Sequence, residues 1–576
     1  MRKTFILIGF IFSMSLLGGS LVQESYWDIQ SVSNPLISPD GEHAIFTKKF
    51  IDKKNDKRVT ERWIMESNGS NKRFFVIGSN PKWSPSSKKI AYVKEDENGK
   101  SQIYVKNLVN ESVTKITNFK DNIGDFSWSP DGEYFAFAAF QEYEDDWIIE
   151  IPGKIEGNEY NWTENPKVIT TMHWRADGVG ELESGENHLY LVNSSGGAAI
   201  KVSEWGLDYI ADLQWLNNFQ LLFSGNDSLD DLQTPWKQSG VFLLNIKNKK
   251  LEKISNKNGV FMTPKASVDG KKIAFIGHPS KDYSSVAHDV YVRDMTTDKN
   301  KQLTKNLSSS PKNLFWLSAN QLAFDLDERG SSKVMQLNID NLKLSELISG
   351  FTEQFFLSSA NQKDLYGTYI TPNRPGEVAV IKKAKLETLT EFNELVLGQY
   401  DFGKTHEINY QAPDGTSIQG WYITPPNFDK DKKYPLILLI HGGPHAMYRP
   451  AFNYSRHQFA SDGYVVLFTN PRGSTGYGSE FANVIDNDYP GAGDLSDLLA
   501  GVDHVTEKGF IDKSRMYVQG CSGGGVLTAW VIGHDDRFAA AASLCPVTNW
   551  ISMVGTTDIP AWTFEWFEKP FWEDPS

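Results

Sequence analysis

The sequence predicts two cores of different class: an all-β propeller of about seven blades over residues 23–400, followed by a doubly wound α/β unit over residues 401–576. Three observations carry this. A hairpin phrase recurs along the first two thirds of the chain, the grammar changes near Gly403 to long apolar strands alternating with helical periods, and 576 residues exceed what one hydrophobic core usually organises.

The first element is a leader. Met1, Arg2 and Lys3 precede an apolar stretch from Phe5 to Leu17 and then the small residues Gly18, Gly19 and Ser20. This is the order of a secretory signal peptide, assigned to residues 1–22, and the stretch is too short to span a bilayer comfortably. The expectation is an exported protein, periplasmic or extracellular, with no stable membrane insertion once the leader is removed; an uncleaved N-terminal anchor is the alternative. The formal charge of −14, with no long basic run, argues against nucleic acid as a partner. Cys521 and Cys545 are the two cysteines. They could pair if neighbouring strands bring them close, but an elbow cysteine normally points into packed surroundings, and the expectation is that the two remain unpaired.

The repeat comes next. LISPDGEHAIFT at Leu36, KWSPSSKKIAYV at Lys82, SWSPDGEYFAFA at Ser127, QWLNNFQLLFSG at Gln214, ASVDGKKIAFIG at Ala266, FWLSANQLAFDL at Phe315 and FLSSANQKDLYG at Phe356 share one design. An aromatic or apolar residue precedes a polar turn, and an alternating apolar run follows, which describes two strands joined tightly. The anchor positions Ser38, Ser84, Ser129, Leu216, Ser267, Leu317 and Ser358 lie 41 to 51 residues apart, except for 87 between Ser129 and Leu216. That is the spacing of four-stranded blades. The long gap is read as an insertion and not as an eighth blade, because Gln141 to Trp174 is acidic and aromatic and lacks the turn phrase. Its acidic group Glu142, Glu144, Asp145 and Asp146 reads first as a solvated loop and second as a receptor for a free amino terminus.

After PDGTSIQGWYITPP come YPLILLIHGGP, GYVVLFTNPRGSTGYG, LSDLLAGVDHVTEKGF and SRMYVQGCSGGG. Continuous apolar strands alternating with helices read as a doubly wound parallel sheet. Leu495, Leu498, Leu499, Val502 and Val505 recur at helical spacing and predict a helix laid on one sheet face.

The chemistry sits in this half. Gly520-Cys521-Ser522-Gly523-Gly524 satisfies G-x-S-x-G between a strand ending at Gln519 and a helix through Ile532, where glycines clear space for a sharp turn that projects the serine hydroxyl. HGGP, His441 to Pro444, follows the strand Leu436 to Ile440. In an α/β-hydrolase the loop after that strand donates one backbone N–H to the oxyanion and the residue after the nucleophile donates the other, so Gly443 and Gly523 are the expected donors. His441 precedes the serine, against the usual order of such a triad, and reads as loop scaffolding.

Taken together, GCSGGGVLTAW, HGGP, NPRGSTGYG at Asn470, GDLSDLLAGVDHVTEKGFID at Gly493 and PVTNW at Pro546 resemble the prolyl oligopeptidase family (S9) of serine peptidases, in its acylaminoacyl-peptidase and dipeptidyl-peptidase-like branch. MHWRADGVG at Met172 resembles a phrase of that branch's propeller. The resemblance implies a propeller that shields an α/β-hydrolase site and restricts it to short peptides, with no metal or organic cofactor. It implies a serine peptidase acting through an acyl-enzyme on Ser522. An esterase on the same scaffold and a catalytically inert peptide-binding propeller protein are the alternatives, and a homo-oligomer is compatible with either.

A serine nucleophile needs a base and a carboxylate to orient it. His534 is the one histidine after Ser522. Twelve residues along the same helix it lies about 18 Å away, at about 1.5 Å per residue, and suits the helix end instead. Asp558 and Asp574 follow as well, but the resemblance places the family's acid after a further strand and the histidine after the last one, both beyond Ser576. With 174 residues from Gly403 onward, the hydrolase half is expected to be C-terminally incomplete, a fragment of an active enzyme type.

Overall fold

The computed structural model describes residues 19–143, 169, 174–226, 238–281, 283–348, 354–361, 363–559, 566–567, 569 and 571–573. Residues 1–18 of the assigned leader, Glu144, Asp145, Asp146, Met172 and Asp574 lie outside them.

Each recurring phrase builds the first hairpin of a blade. In Ser38, Ser129 and Ser267 the hydroxyl accepts the backbone N–H of the residue five positions on, His43 at 3.0 Å, Tyr134 at 2.9 Å and Lys272 at 3.0 Å. The same hydroxyls donate to Asp40, Asp131 and Asp269, which fixes the turn from both ends. Seven four-stranded antiparallel sheets result. They run from blade 1 (first strand Ser31–Ile37) through blades 2 (Ser79–Trp83), 3 (Ile123–Trp128), 4 (Ile210–Asn217), 5 (Val260–Ala266) and 6 (Lys312–Ser318) to blade 7 (Gln354–Ala360). The extra residues of the long gap lie inside blade 3, between its second strand Tyr134–Glu142 and its third, Gly185–Asn193. They are an insertion, as the missing turn phrase predicts.

The aromatic that opens the phrase joins neighbouring blades. Indole N–H groups of Trp83, Trp128, Trp215 and Trp316 donate to the carbonyls of Leu36, Lys82, Ser127 and Lys265 in the preceding blade, at 2.9, 3.2, 3.3 and 2.8 Å. Between blades 7 and 1 a serine does this work. Ser359 Oγ donates to the Pro35 carbonyl at 2.7 Å and accepts the Ile37 N–H at 3.1 Å, beside a core that holds Val32, Phe46, Tyr366 and Val378.

The second half is a six-stranded sheet with strands β1 (Thr405–Gln411), β2 (Ser417–Ile423), β3 (Tyr434–Ile440), β4 (Val465–Asn470), β5 (Ile511–Cys521) and β6 (Ala540–Leu544), in the order β1-β2-β4-β3-β5-β6. Strands β3 to β6 are parallel, but β1 and β2 pair antiparallel, as do β2 and β4. The sheet is therefore mixed where the sequence predicts a parallel one. The reason is the short turn after Gln411, closed by Ala412 N–H to Thr416 O at 2.9 Å, which is too short for the crossover a parallel pair needs.

Helices cover both faces. On one face lie α3 (Ala492–Thr506) and α4 (Gly523–His534), with Leu498, Val502 and Val505 fully buried and Leu495 and Leu499 packed on the same core. On the other lies α1 (Tyr454–Ser461), whose Ala460 joins Trp421, Leu439 and Phe468. Residues Gly19 to Val22, which the sequence assigns to the leader, are docked on this half: Leu21 is 1% exposed and the Gly19 N–H donates to Gln399 O at 2.8 Å.

Ser359→Ala strands a buried N–H and a buried carbonyl at the ring seam, each costing about 1–3 kcal/mol. Urea unfolding should show a lower midpoint for this variant, and Ser359→Thr, which keeps the hydroxyl, should retain most of the stability.

Candidate active site

Strand β5 delivers the chain to a sharp turn at Ser522, with φ 57° and ψ −124°. A residue bearing Cβ is strained in that region. The turn is fixed by its own main chain: Ser522 N–H donates to Leu544 O at 3.0 Å, and Ser522 O accepts the N–H groups of Gly525 at 2.8 Å and Val526 at 3.0 Å. Its side chain is exposed, so the hydroxyl stands out above the carboxyl ends of the parallel strands.

The glycines around it are required by close approach. A Cβ on Gly524 would meet Ile440 O at 2.3 Å, where helix α4 crosses the end of β3. A Cβ on Gly523 would meet Gly443 O at 2.9 Å and Gly443 N at 3.1 Å, and one on Gly442 would meet Cys521 O at 2.7 Å. The HGGP main chain therefore lies directly against the elbow, and the structure brings Gly443, Ser522 and Gly523 together. Tyr489, which sequence reasoning does not single out, donates its hydroxyl to Gly523 O at 2.6 Å and holds that peptide unit in place.

His441 is scaffolding. Its Nδ1–H donates to Gly442 O at 2.9 Å and its Nε2 faces Ser474 Oγ at 3.0 Å. Burial pushes its pKa down to about 4, so it is neutral near neutral pH. His534 ends α4, donates Nδ1–H to Trp530 O at 2.8 Å and packs on that indole, far from Ser522. Cys521 and Cys545 are both free, as expected, but Cys521 is exposed and not packed inward. The alternation along β5 buries Val518 and Gly520 and turns Cys521 outward. A hydrogen bond with Cys545, then burial, hold the Cys521 thiol above its ordinary pKa.

Sequence reasoning also misses the stretch after HGGP. His445 Nδ1–H donates to Gly473 O at 2.9 Å, Met447 Sδ accepts the Gly330 N–H at 3.2 Å, and Arg449 pairs with Asp327 of blade 6. Arg456 on α1 is buried, donates to Arg449 O at 2.9 Å and lies 4.4 and 3.9 Å from the Tyr448 and Phe468 ring centres. The available signal is the period of two in HAMYR, an extended tie between surfaces.

Two outcomes follow from this geometry. Gly524→Ala forces Cβ onto the Ile440 carbonyl; destabilisation of about 1–3 kcal/mol and a displaced elbow are expected, read by thermal midpoint and by loss of Ser522 reactivity. His441 and His457 are both held near pKa 4 by burial, against an ordinary 6.5. As pH falls from 6.5 towards 4 the unfolded chain takes up protons that the folded chain refuses, so stability is lost in that window, by up to about 3 kcal/mol per histidine. Unfolding free energies between pH 7 and 4.5 test this, and His457→Gln should flatten the slope by about one proton.

Comparison with known proteins agrees with this architecture. Residues 450–576 match the prolyl oligopeptidase family and residues 49–224 the TolB β-propeller domain. The chain is similar to the uncharacterized peptidase YuxL of Bacillus subtilis, 26% identical over 95% of this chain and 85% of that one. It is similar to dipeptidyl-peptidase 5 of Porphyromonas gingivalis, 24% identical over 96% of this chain and 83% of that one. Among solved structures, Pyrococcus horikoshii acylaminoacyl peptidase superposes with a TM-score of 0.79 at 21% identity, over 95% of this chain and 83% of that one. The serine elbow at the carboxyl edge of a mixed α/β sheet, the seven-bladed propeller ahead of it and these relatives together support a serine peptidase of the prolyl oligopeptidase family.

Proposed function

We propose that this protein is a serine peptidase that hydrolyses short peptides through an acyl-enzyme on Ser522, with the N–H groups of Gly443 and Gly523 receiving the oxyanion. The observation that carries the proposal is the close approach of the Gly443 backbone, which would lie 3.1 Å from a Cβ on Gly523, beside an exposed serine hydroxyl on a strained turn. Attack by Ser522 Oγ on a peptide carbonyl forms the C–O bond, passes the hydroxyl proton to the general base and moves the carbonyl electrons onto oxygen. Two fixed amides facing that oxygen stabilise the charge without reorganising, a contribution of about 10²–10³ in kcat per donor. Collapse expels the amine with a proton from the general base, and water then releases the acyl group. A histidine base and a carboxylate that orients it complete this chemistry.

Dipeptide release and removal of a blocked terminal residue are both represented by name among the relatives. The propeller supports peptides of limited length as substrates, since it packs against the hydrolase half through blades 5, 6 and 7. We further propose export, with the leader ending before Gly19, because the residues from Gly19 onward are part of the packed fold.

The test is a fluorophosphonate probe with peptidyl-amide turnover, applied to the product of the complete gene. Wild type should be labelled and active. Ser522→Ala should lose both, with activity down by about 10⁴-fold or more, and labelling that persists in this variant overturns the assignment of the nucleophile.

A further inference from the structure

The Gly443 amide has no side-chain anchor of its own, because Gly442 and Gly443 carry none and Gly443 sits at φ 124°. Its orientation is set by the residues on either side. Upstream, His441 is held within the hydrolase half by Ser474 at 3.0 Å. Downstream, His445 is held between Gly473 O at 2.9 Å and Ser284 Oγ of the propeller, 2.8 Å from Nε2.

The segment that follows works as a tie with a period of two. His445, Met447 and Arg449 meet Ser284, Gly330 and Asp327 of the propeller. The residues between them face the sheet: Ala446 O accepts the Thr475 N–H at 2.9 Å, and Tyr448 exchanges two hydrogen bonds with the Asn470 side chain at 2.7 and 3.0 Å. Alternation of this kind fixes an extended segment from both sides at once.

Ser284 is itself firmly placed. Its loop joins the blade 5 strands Lys272–His278 and Asp289–Asp294, and His278 and His288 stack across the loop's base with ring centres 5.1 Å apart. Its outer part grips helix α2 (Ser479–Asn483), where Ser285 N–H donates to Asn483 Oδ1 at 2.8 Å and Asn483 Nδ2 donates to Ser285 O at 2.7 Å. The single Ser284 Oγ proton is shared among His445 Nε2, Asn483 Oδ1 at 3.1 Å and the Asp486 carboxylate, while the Ser284 N–H donates to Asp486 Oδ2 at 3.4 Å.

We propose that the propeller sets the oxyanion loop, with Ser284 as a positioning residue that acts through His445 to hold the Gly443 amide in place. The inference rests on the role of Gly443 and Ser522 proposed above. It makes the propeller part of the catalytic frame as well as a cover over the site. Without the Ser284 hydroxyl, His445 keeps its bond to Gly473 O and its edge contact with the Trp566 ring, both within the hydrolase half, and the Gly443 amide, two residues away, loses its link to blade 5.

The experiment compares wild type, Ser284→Ala, Ser284→Thr, His445→Ala and the double variant Ser284→Ala/His445→Ala of the complete gene product. The readouts are kcat and KM on a chromogenic short peptide amide, and the affinity of a peptide aldehyde whose tetrahedral adduct carries the oxyanion. Ser284→Ala should lower kcat about tenfold or more with KM little changed, and weaken the aldehyde by the same factor. Ser284→Thr should restore most of both. The double variant should be no worse than His445→Ala alone, because the two groups act as one unit. Wild-type kcat and aldehyde affinity in Ser284→Ala, or a raised KM with kcat unchanged, overturn the proposal while leaving the nucleophile assignment intact. Failure of a fluorophosphonate to label Ser522 in wild type instead overturns the underlying reading, and this inference with it.

Discussion

Main chain packed on main chain, with no side chain between, is the constraint from which the site follows. The end of β3, the HGGP turn and the elbow at Ser522 come so close that Gly442, Gly523 and Gly524 admit no Cβ. The Ser522 hydroxyl and the Gly443 and Gly523 amides are then brought together from two chain segments without a long side chain to hold either of them. Precision comes from backbone contact, which has few soft torsions to relax. The strain at Ser522 is sustained because three backbone hydrogen bonds and the packed start of α4 leave it no alternative.

Backbone contact fixes how closely the segments approach but not how the glycine turn is rotated, and that second requirement draws in the propeller. The residues just past HGGP alternate between the two halves of the molecule, so the turn is tensioned from both sides. The buried Arg456 belongs to the same device: its guanidinium packs against both the Tyr448 and Phe468 rings and donates to Arg449 O, which ties the segment to the sheet.

What was legible in the sequence was local. The serine, turn and aspartate of each phrase lie within a few residues of one another, so blade number, hairpin turns and the insertion in blade 3 could be read directly, and so could the glycine pattern of the elbow. What was illegible depended on distant partners. Ser284 and His445 are 161 positions apart, and no local pattern announces their contact. The antiparallel hairpin at the sheet edge was hidden because strands in both orientations share the same apolar composition, and only the length of the turn after Gln411 separates the cases. The outward thiol of Cys521 depended on strand phase, which a one-residue change in where β5 ends inverts.

The covalent link between the halves, residues 389–404, runs beside the N-terminal segment 19–30: Gly19 bonds to Gln399 and Asp401, and Asn393 to Gln30. Both enter the ring where blade 1 meets blade 7. The non-covalent contacts then fan outward from that point, with Phe452 and His457 on blade 7, Met447 and Arg449 on blade 6, and His445 on blade 5. A rocking motion about the shared strand-to-ring junction would have its shortest lever arm at blade 7 and its longest at the His445 contact on blade 5. Opening about that junction would therefore slacken the HGGP turn first, and the His445 contact would be the last to re-form on closing.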